Sequence, residues 1–229
     1  MKERYIVPKT TSVERTSFVE NYVQGKDILH VGVGGAIIDT ELKKAFLEGD
    51  VSQWFHAKIS RRAKSVTTLE IERDNIEKFS KIVPGTYIHA DITDPRIPFL
   101  VDHTYELIVF TEIIEHLDCF RSALQNINKL LAPGGQVLIS TVNAFNASLF
   151  LKMMFRYETN HIEHTAYFSY LTIKRVLEMN GLVIRDFRFA YDRPRGFAKR
   201  WVKMAVSRIF PQFSQAFLVI AERSEPDDL

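Results

Sequence analysis

The 229-residue chain has one cysteine, Cys119. That excludes an intramolecular disulfide and a cysteine-built zinc site, and it fits a reducing, cytoplasmic compartment. No stretch of 18 uncharged apolar residues occurs, so no transmembrane helix is expected. The first ten residues carry Lys2, Glu3, Arg4 and Lys9 around residues 5–8 and lack an apolar stretch of signal-peptide length. Net charge is only +2, too little to argue for nucleic acid. Internal repeats, low-complexity tracts and domain linkers are also missing. What remains is ordinary globular composition, 46% hydrophobic and 25% charged. That excludes a disordered chain, a collagen-like repeat and a coiled-coil rod, and it suits one domain over residues 1–229.

The charge is unevenly spread. Residues 185–211 hold eight cations and two anions, a local +6, which leaves the rest of the chain at −4. Within them, residues 196–211 read as a basic amphipathic helix that mixes Lys199, Arg200, Lys203 and Arg208 with Phe197, Trp201, Ile209 and Phe210. Packing against the sheet with the cations outward is the favoured reading, and peripheral contact with an anionic membrane is the alternative.

Strands and helices alternate along most of the chain. The pattern predicts strands at 27–31, 65–71, 86–90, 105–111, 136–142, 182–191 and 215–221, separated by helices at 11–23, 37–47, 73–82, 118–131, 144–157 and 170–180. Residues 48–64 fit neither period well. Helix-length connections between successive strands imply a parallel, doubly wound Rossmann-like sheet with helices on both faces. Residues 1–24 form an N-terminal helical segment and residues 143–170 an apolar lid or substrate insertion, while 223–229 is a flexible tail.

Ligand crevices of such sheets lie at the strand C-termini. The first strand ends in Gly32-Val33-Gly34-Gly35, where the missing Cβ atoms let the backbone turn tightly and approach a ligand. The second ends in Leu69-Glu70-Ile71, an acid placed to accept ribose hydroxyls; the third in Ala90-Asp91-Ile92; the fourth in Thr111-Glu112-Ile113-Ile114-Glu115-His116. A nicotinamide dinucleotide fits poorly. Glu70 follows Gly32 by 38 residues, against about 20 in the dinucleotide fingerprint, and the third glycine is missing.

The ordered set G-V-G-G, L-E-I, A-D-I and Y-E-L-I-V-F-T-E-I-I-E-H-L, followed by K-L-L-A-P-G-G-Q-V-L-I-S-T, resembles class I S-adenosylmethionine-dependent methyltransferases over residues 27–142. The resemblance implies a seven-stranded, mostly parallel sheet whose last strand is antiparallel. It places Gly32, Val33, Gly34 and Thr111 about the methionine part of the cofactor. Glu70 and Ile71 fall at the ribose, and Asp91 and Ile92 at the adenine. His30 departs from the family pattern, which has an acid there, and Ala36 stands where a third glycine often lies. Residues 160–181, with H-I-E-H-T-A-Y-F-S, resemble small-molecule O-methyltransferases of quinone and polysaccharide pathways.

Methylating a hydroxyl requires a base, for which His116 and His164 are the candidates. Glu112, Glu115, His116 and His164 together also resemble a divalent metal set, for Mg²⁺, Mn²⁺ or Zn²⁺. The expected partner is a small-molecule or sugar-derived acceptor rather than nucleic acid. The alternatives are N-methylation of a small molecule, RNA 2′-O-methylation and a non-catalytic cofactor-binding scaffold.

Overall fold

The computed structural model describes residues 6–33, 54–101, 103–158, 161–192 and 207–225. Gly34, the helix expected over 37–47, most of the basic helix over 196–211 and the end of the tail lie outside them. Among the described residues, no helix is long and apolar enough to cross a membrane.

The elements in chain order are β1 (Ser12–Glu14), α1 (Arg15–Tyr22), β2 (Asp27–Val31), α2 (Phe55–Ser60), β3 (Ser65–Glu70), α3 (Arg73–Phe79), β4 (Thr86–His89), α4 (Ile97–Leu100) and β5 (Tyr105–Thr111), with a 3-10 turn at Ile114–His116. Then come α5 (Phe120–Leu130), β6 (Leu131–Val142), α6 (Ala147–Met154), α7 (Tyr170–Glu178), β7 (Leu182–Tyr191), a second 3-10 turn at Pro211–Phe213, and β8 (Ala216–Arg223).

The strands form one sheet in the order β1-β7-β8-β6-β5-β2-β3-β4. The β6–β5–β2–β3–β4 run is parallel throughout, while β8 lies antiparallel between β6 and β7. The doubly wound expectation therefore holds, with its antiparallel final strand. The strand count is eight rather than seven. The extra strand, β1, pairs parallel with the edge of β7, with Ser12 opposite Phe189 and Glu14 opposite Tyr191. A helix was expected from residue 11, but β-branched Thr11 and Val13 favour the extended form. The helix starts only at Arg15, where the Glu14 carboxylate accepts from the backbone N–H groups of Thr16 (3.2 Å) and Ser17 (2.9 Å) as an N-cap.

Strand periodicity distributes the core to both faces. In β5, Leu107 and Val109 join the cluster under α1 and α2, which includes Val19 and Ile59. Ile108 and Phe110 join the larger cluster under α5 and α7, with Leu124, Ile127, Ile173 and Leu177. These side chains are buried, each contributing about 1.5–3 kcal/mol of transfer free energy. Such burial on both sides explains why the central strands read as continuous apolar runs.

The apolar segment after β6 behaves differently. Its helix, α6, is shorter than the 144–157 span expected from the pattern, and none of its residues is buried. Phe150, Met153 and Met154 all face outward. The Asn146 side chain caps its start by accepting from the Ser148 N–H at 2.9 Å.

Candidate active site

Adjacent parallel strands bring the C-termini of β5, β2, β3 and β4 side by side, and the expected cofactor residues gather there. Gly32 has φ +73°, and a Cβ at that position would meet the Ile113 side chain at 2.6 Å, so only glycine fits the turn. The Gly32 N–H donates to the Leu69 carbonyl at 2.8 Å, tying the turn to the end of β3. Glu70, 3% exposed, completes the link. Its carboxylate accepts from the Val33 N–H at 2.7 Å and the Glu72 N–H at 2.9 Å. The Trp54 indole N–H donates to the Val33 carbonyl at 2.9 Å and holds the other side of the turn.

Ile71 is 56% exposed beside Glu70, whereas Ile92 is 4% exposed and packs in the main core. Asp91 is exposed, and one of its oxygens accepts from the Thr93 N–H at 2.8 Å. Thr111 closes β5 and is partly exposed.

His30, in the strand below the glycine turn, is buried. Its Nδ1 lies 2.9 Å from His56 Nδ1, and His56 Nε2 lies 3.0 Å from the Tyr87 hydroxyl. That hydroxyl donates to the Val83 carbonyl at 2.9 Å, so it accepts from His56 Nε2–H. His56 Nδ1 is then the acceptor, and His30 Nδ1–H the donor. Burial holds His30 well below the usual histidine value and His56 down to about 4, and it pushes Tyr87 up to about 12.

The far wall of the crevice follows β5. Glu112 has φ +55°, a strained left-handed conformation for a residue with a side chain. Its N–H donates to the Ser140 carbonyl at 3.0 Å, and its carboxylate accepts from the Ser140 hydroxyl at 2.8 Å. Arg15, from the start of α1, reaches it at 2.5 Å and Asp192 at 2.7 Å. Burial opposes the charge on Arg15, but the two carboxylates outweigh it and raise its affinity for its proton. Burial likewise opposes ionisation of Glu112, and Arg15 with Ser140 reverses this, holding Glu112 below the ordinary carboxylate range. Glu115 is fully buried. Desolvation, then the Glu112 charge, pushes it up to about 8, so it carries a proton at neutral pH. One of its oxygens accepts from the Thr141 hydroxyl at 3.0 Å.

His116 and His164 do come together, at the outer end of this wall, with ring centroids 4.7 Å apart. The segment carrying His164 is pinned to the 3-10 turn. The Thr165 N–H donates to the Glu115 carbonyl at 2.8 Å, and its hydroxyl to the Leu117 carbonyl at 2.6 Å. Burial lowers the pKa of both imidazoles, and their mutual proximity with His161 adds to the shift. His164 Nδ1 lies 3.3 Å from the Tyr167 hydroxyl. Tyr167 also lines a cavity of about 680 Å³ with Phe145, Phe150, Met153, Tyr157 and Phe213.

A turn closed by glycine, a buried acid answering it and a wall of acids and histidines after β5 lie at neighbouring strand tips, and residues 17–186 fit the family model of a methyltransferase domain. The chain belongs to that family. Its fold is that of class I S-adenosylmethionine-dependent methyltransferases. The solved structure of one from Mesorhizobium loti has TM-score 0.56 at 14% identity, with 91% of this chain and 96% of that one covered. The N-methyltransferase NodS of Bradyrhizobium japonicum, in complex with S-adenosyl-L-homocysteine, has TM-score 0.53 at 14% identity over 92% and 85%. Among curated proteins, the ubiquinone biosynthesis O-methyltransferase of Aeromonas salmonicida is 23% identical over 74% of this chain and 68% of its own length. That of Rickettsia felis is 27% identical over 61% and 48%, so this methyltransferase spans about half the length of such a relative.

Sequence reasoning did not single out Arg15, Ser140, Asp192, His161 or Tyr167. For His161 a signal existed, since His161 and His164 are three residues apart in a segment without helical pattern. For Arg15 and Asp192 none did, because 177 positions separate two groups that meet only through the β1–β7 edge.

Proposed function

We propose that this protein transfers the methyl group of S-adenosylmethionine to a hydroxyl of a small-molecule or sugar-derived acceptor. The observation that carries the reading is the link between the Gly32–Val33 turn and Glu70. The two form one hydrogen-bonded unit at the C-terminal ends of neighbouring strands, with the Glu70 carboxylate accepting from the Val33 and Glu72 N–H groups. Such a unit suits a ligand that joins an amino-acid moiety to a ribose. Gly32, Val33 and Gly34 would border the methionine part. Glu70 would hold the ribose hydroxyls against Ile71, and Asp91 would meet the adenine amino group from the next strand tip.

The bound cofactor supplies an electrophilic methyl carbon on a sulfonium; the protein's contribution is alignment and proton handling. Imidazoles that are neutral at pH 7 accept a proton, and His164 and His116 stand at the acceptor end of the crevice. Tyr167 orients the His164 ring through Nδ1, which leaves Nε2 as the accepting nitrogen. The apolar cavity beside Tyr167 receives the rest of the acceptor and keeps water from the reacting atoms. The curated relatives named for O-methylation support oxygen over nitrogen as the acceptor atom.

Calorimetric titration with S-adenosylhomocysteine tests the cofactor half. Micromolar binding by the wild type and a loss of at least tenfold in Glu70→Ala are expected; no binding by the wild type overturns the reading. Transfer of labelled methyl to a panel of phenols, catechols and glycosides tests the acceptor half. Turnover of amines alone would replace oxygen by nitrogen.

A further inference from the structure

His116, His161 and His164 each offer a ring nitrogen to one point, and these atoms all lie within 4.8 Å of one another. The ring centroids are 4.7, 5.5 and 5.6 Å apart. The three rings are half-buried; His116 meets each of the other two edge-on, and His161 and His164 are tilted against each other. His161 Nδ1 is buried with no hydrogen-bond partner. A polar atom left so is costly, by about 1–3 kcal/mol, unless something else occupies its lone pair. Glu163 stands beside the group, with one oxygen 3.8 Å from His161 Nδ1 and 3.9 Å from His116 Nδ1. Two of the rings sit on a short segment that Thr165 clamps to the turn bearing the third. The cluster is therefore held in place by backbone that does not depend on it.

We propose that these three histidines form a divalent transition-metal site of zinc type. The donor set decides the class. Three imidazoles favour Zn²⁺, Co²⁺ or Ni²⁺ over Mg²⁺ or Ca²⁺, which prefer oxygen. Zinc–nitrogen bonds of about 2.0–2.1 Å in a tetrahedron put the nitrogens about 3.3 Å apart. Binding would draw the nitrogens together from the 4.8 Å within which they already lie. Three protein ligands leave the fourth position open for a water or for an oxygen of a bound acceptor. The set differs from the Glu112, Glu115, His116 and His164 combination expected from the sequence. Arg15 and Ser140 occupy Glu112, and Glu115 is buried, with one oxygen accepting from the Thr141 hydroxyl. His161 takes the place those carboxylates would have filled. With an ion bound, His116 and His164 serve as ligands, and the base role proposed for them in the metal-free protein passes to Glu163. The acidified acceptor hydroxyl then gives its proton to the Glu163 carboxylate, and its oxygen keeps the electron pair for the methyl carbon.

The site needs no methyl transfer to be observed, so its test separates from that of the methyltransferase reading. Tag-free protein, stripped with a chelator, is titrated with Co²⁺ and followed by its visible absorption, then challenged with Zn²⁺ and with excess Mg²⁺. The expected result is one equivalent of cobalt in a low-symmetry nitrogen environment, displaced by zinc and not by magnesium. His161→Gln should weaken binding at least tenfold, and Glu112→Gln should leave it unchanged. Nitrogen hyperfine structure in the Cu²⁺ spectrum of the wild type counts the imidazoles without any variant, so a poorly folding mutant does not void the test. S-adenosylhomocysteine titrations on the same samples report the cofactor site independently. Absence of stoichiometric binding by the wild type overturns the proposal. So does binding insensitive to His161→Gln, or displacement by magnesium together with loss in Glu112→Gln.

Discussion

Two groups of histidines, one below the glycine turn and one after β5, are built on opposite principles. His30 and His56 are buried, and the nitrogens between them and Tyr87 form one directed chain that ends on a backbone carbonyl. His116, His161 and His164 are half-buried, and His161 Nδ1 has no hydrogen-bond partner among the described residues. The first arrangement uses imidazole as a neutral hydrogen-bonding spacer that fills a core position. The second keeps lone pairs available. What separates a structural histidine from a chemical one here is the accounting of its nitrogens.

The largest effect expected from breaking that contrast is catalytic. His164→Ala should lower kcat by about 10³-fold, within the usual range for loss of a proton-transfer group, while the melting temperature barely moves. Steady-state kinetics alongside thermal melts check this; a full-activity variant would remove His164 from the chemistry.

His30→Ala should do the reverse. It opens a cavity and leaves His56 Nδ1 without its donor, a loss of about 3 kcal/mol in unfolding free energy. Denaturant unfolding measures it, and a change under 1 kcal/mol would mean the buried chain is not structural.

Acid sharpens the same point. Histidines in the unfolded chain titrate near 6.5, whereas His56 is held to about 4 and His30 lower still. Below pH 6.5 the unfolded chain takes protons that the folded one refuses. Stability that is fully present above that pH is therefore lost as pH falls through about 4, by about 3 kcal/mol from His56 alone. Unfolding curves between pH 4 and 7 should steepen in this dependence for the wild type and flatten in His56→Gln.

The smallest expected change is Tyr87→Phe. It deprives His56 Nε2–H of its acceptor and should cost about 1 kcal/mol, read from the shift in denaturation midpoint.

On the side of the crevice proposed for the cofactor, the placement of the residues was readable from the sequence alone. Its positions are local: a glycine after a strand, an acid after the next strand, an aspartate after the third. A parallel sheet with right-handed crossovers then brings adjacent strand tips together without further information. Strands β2, β5 and β7 fall where periodicity placed them, because buried parallel strands are short apolar runs with clear stops. The acceptor side was less readable. Arg15 meets Glu112 and Asp192 only through the fold, and a basic residue in an amphiphilic start of a chain carries no mark of such a role. β1 was read as helix because three residues are too few to show a period of two. Helix α6 has a strongly apolar sequence, which was read as a lid or substrate insertion, and the structure leaves it exposed beside a cavity. Apolar pattern reports what a segment can bury and not what will cover it.

β8 is the last strand in the chain and yet sits inside the sheet, between β6 and β7. During synthesis the ribosome therefore releases every other strand while that slot is vacant. Until residues 216–223 emerge from the exit tunnel, β6 presents a bare apolar edge and the β7–β1 pair has nothing to dock on. Completion of the described sheet thus waits for β8, even though its parallel strands could pair as they appear. A nascent chain stalled before Ala216 would offer chaperones, and other copies of itself, an open strand position of eight residues.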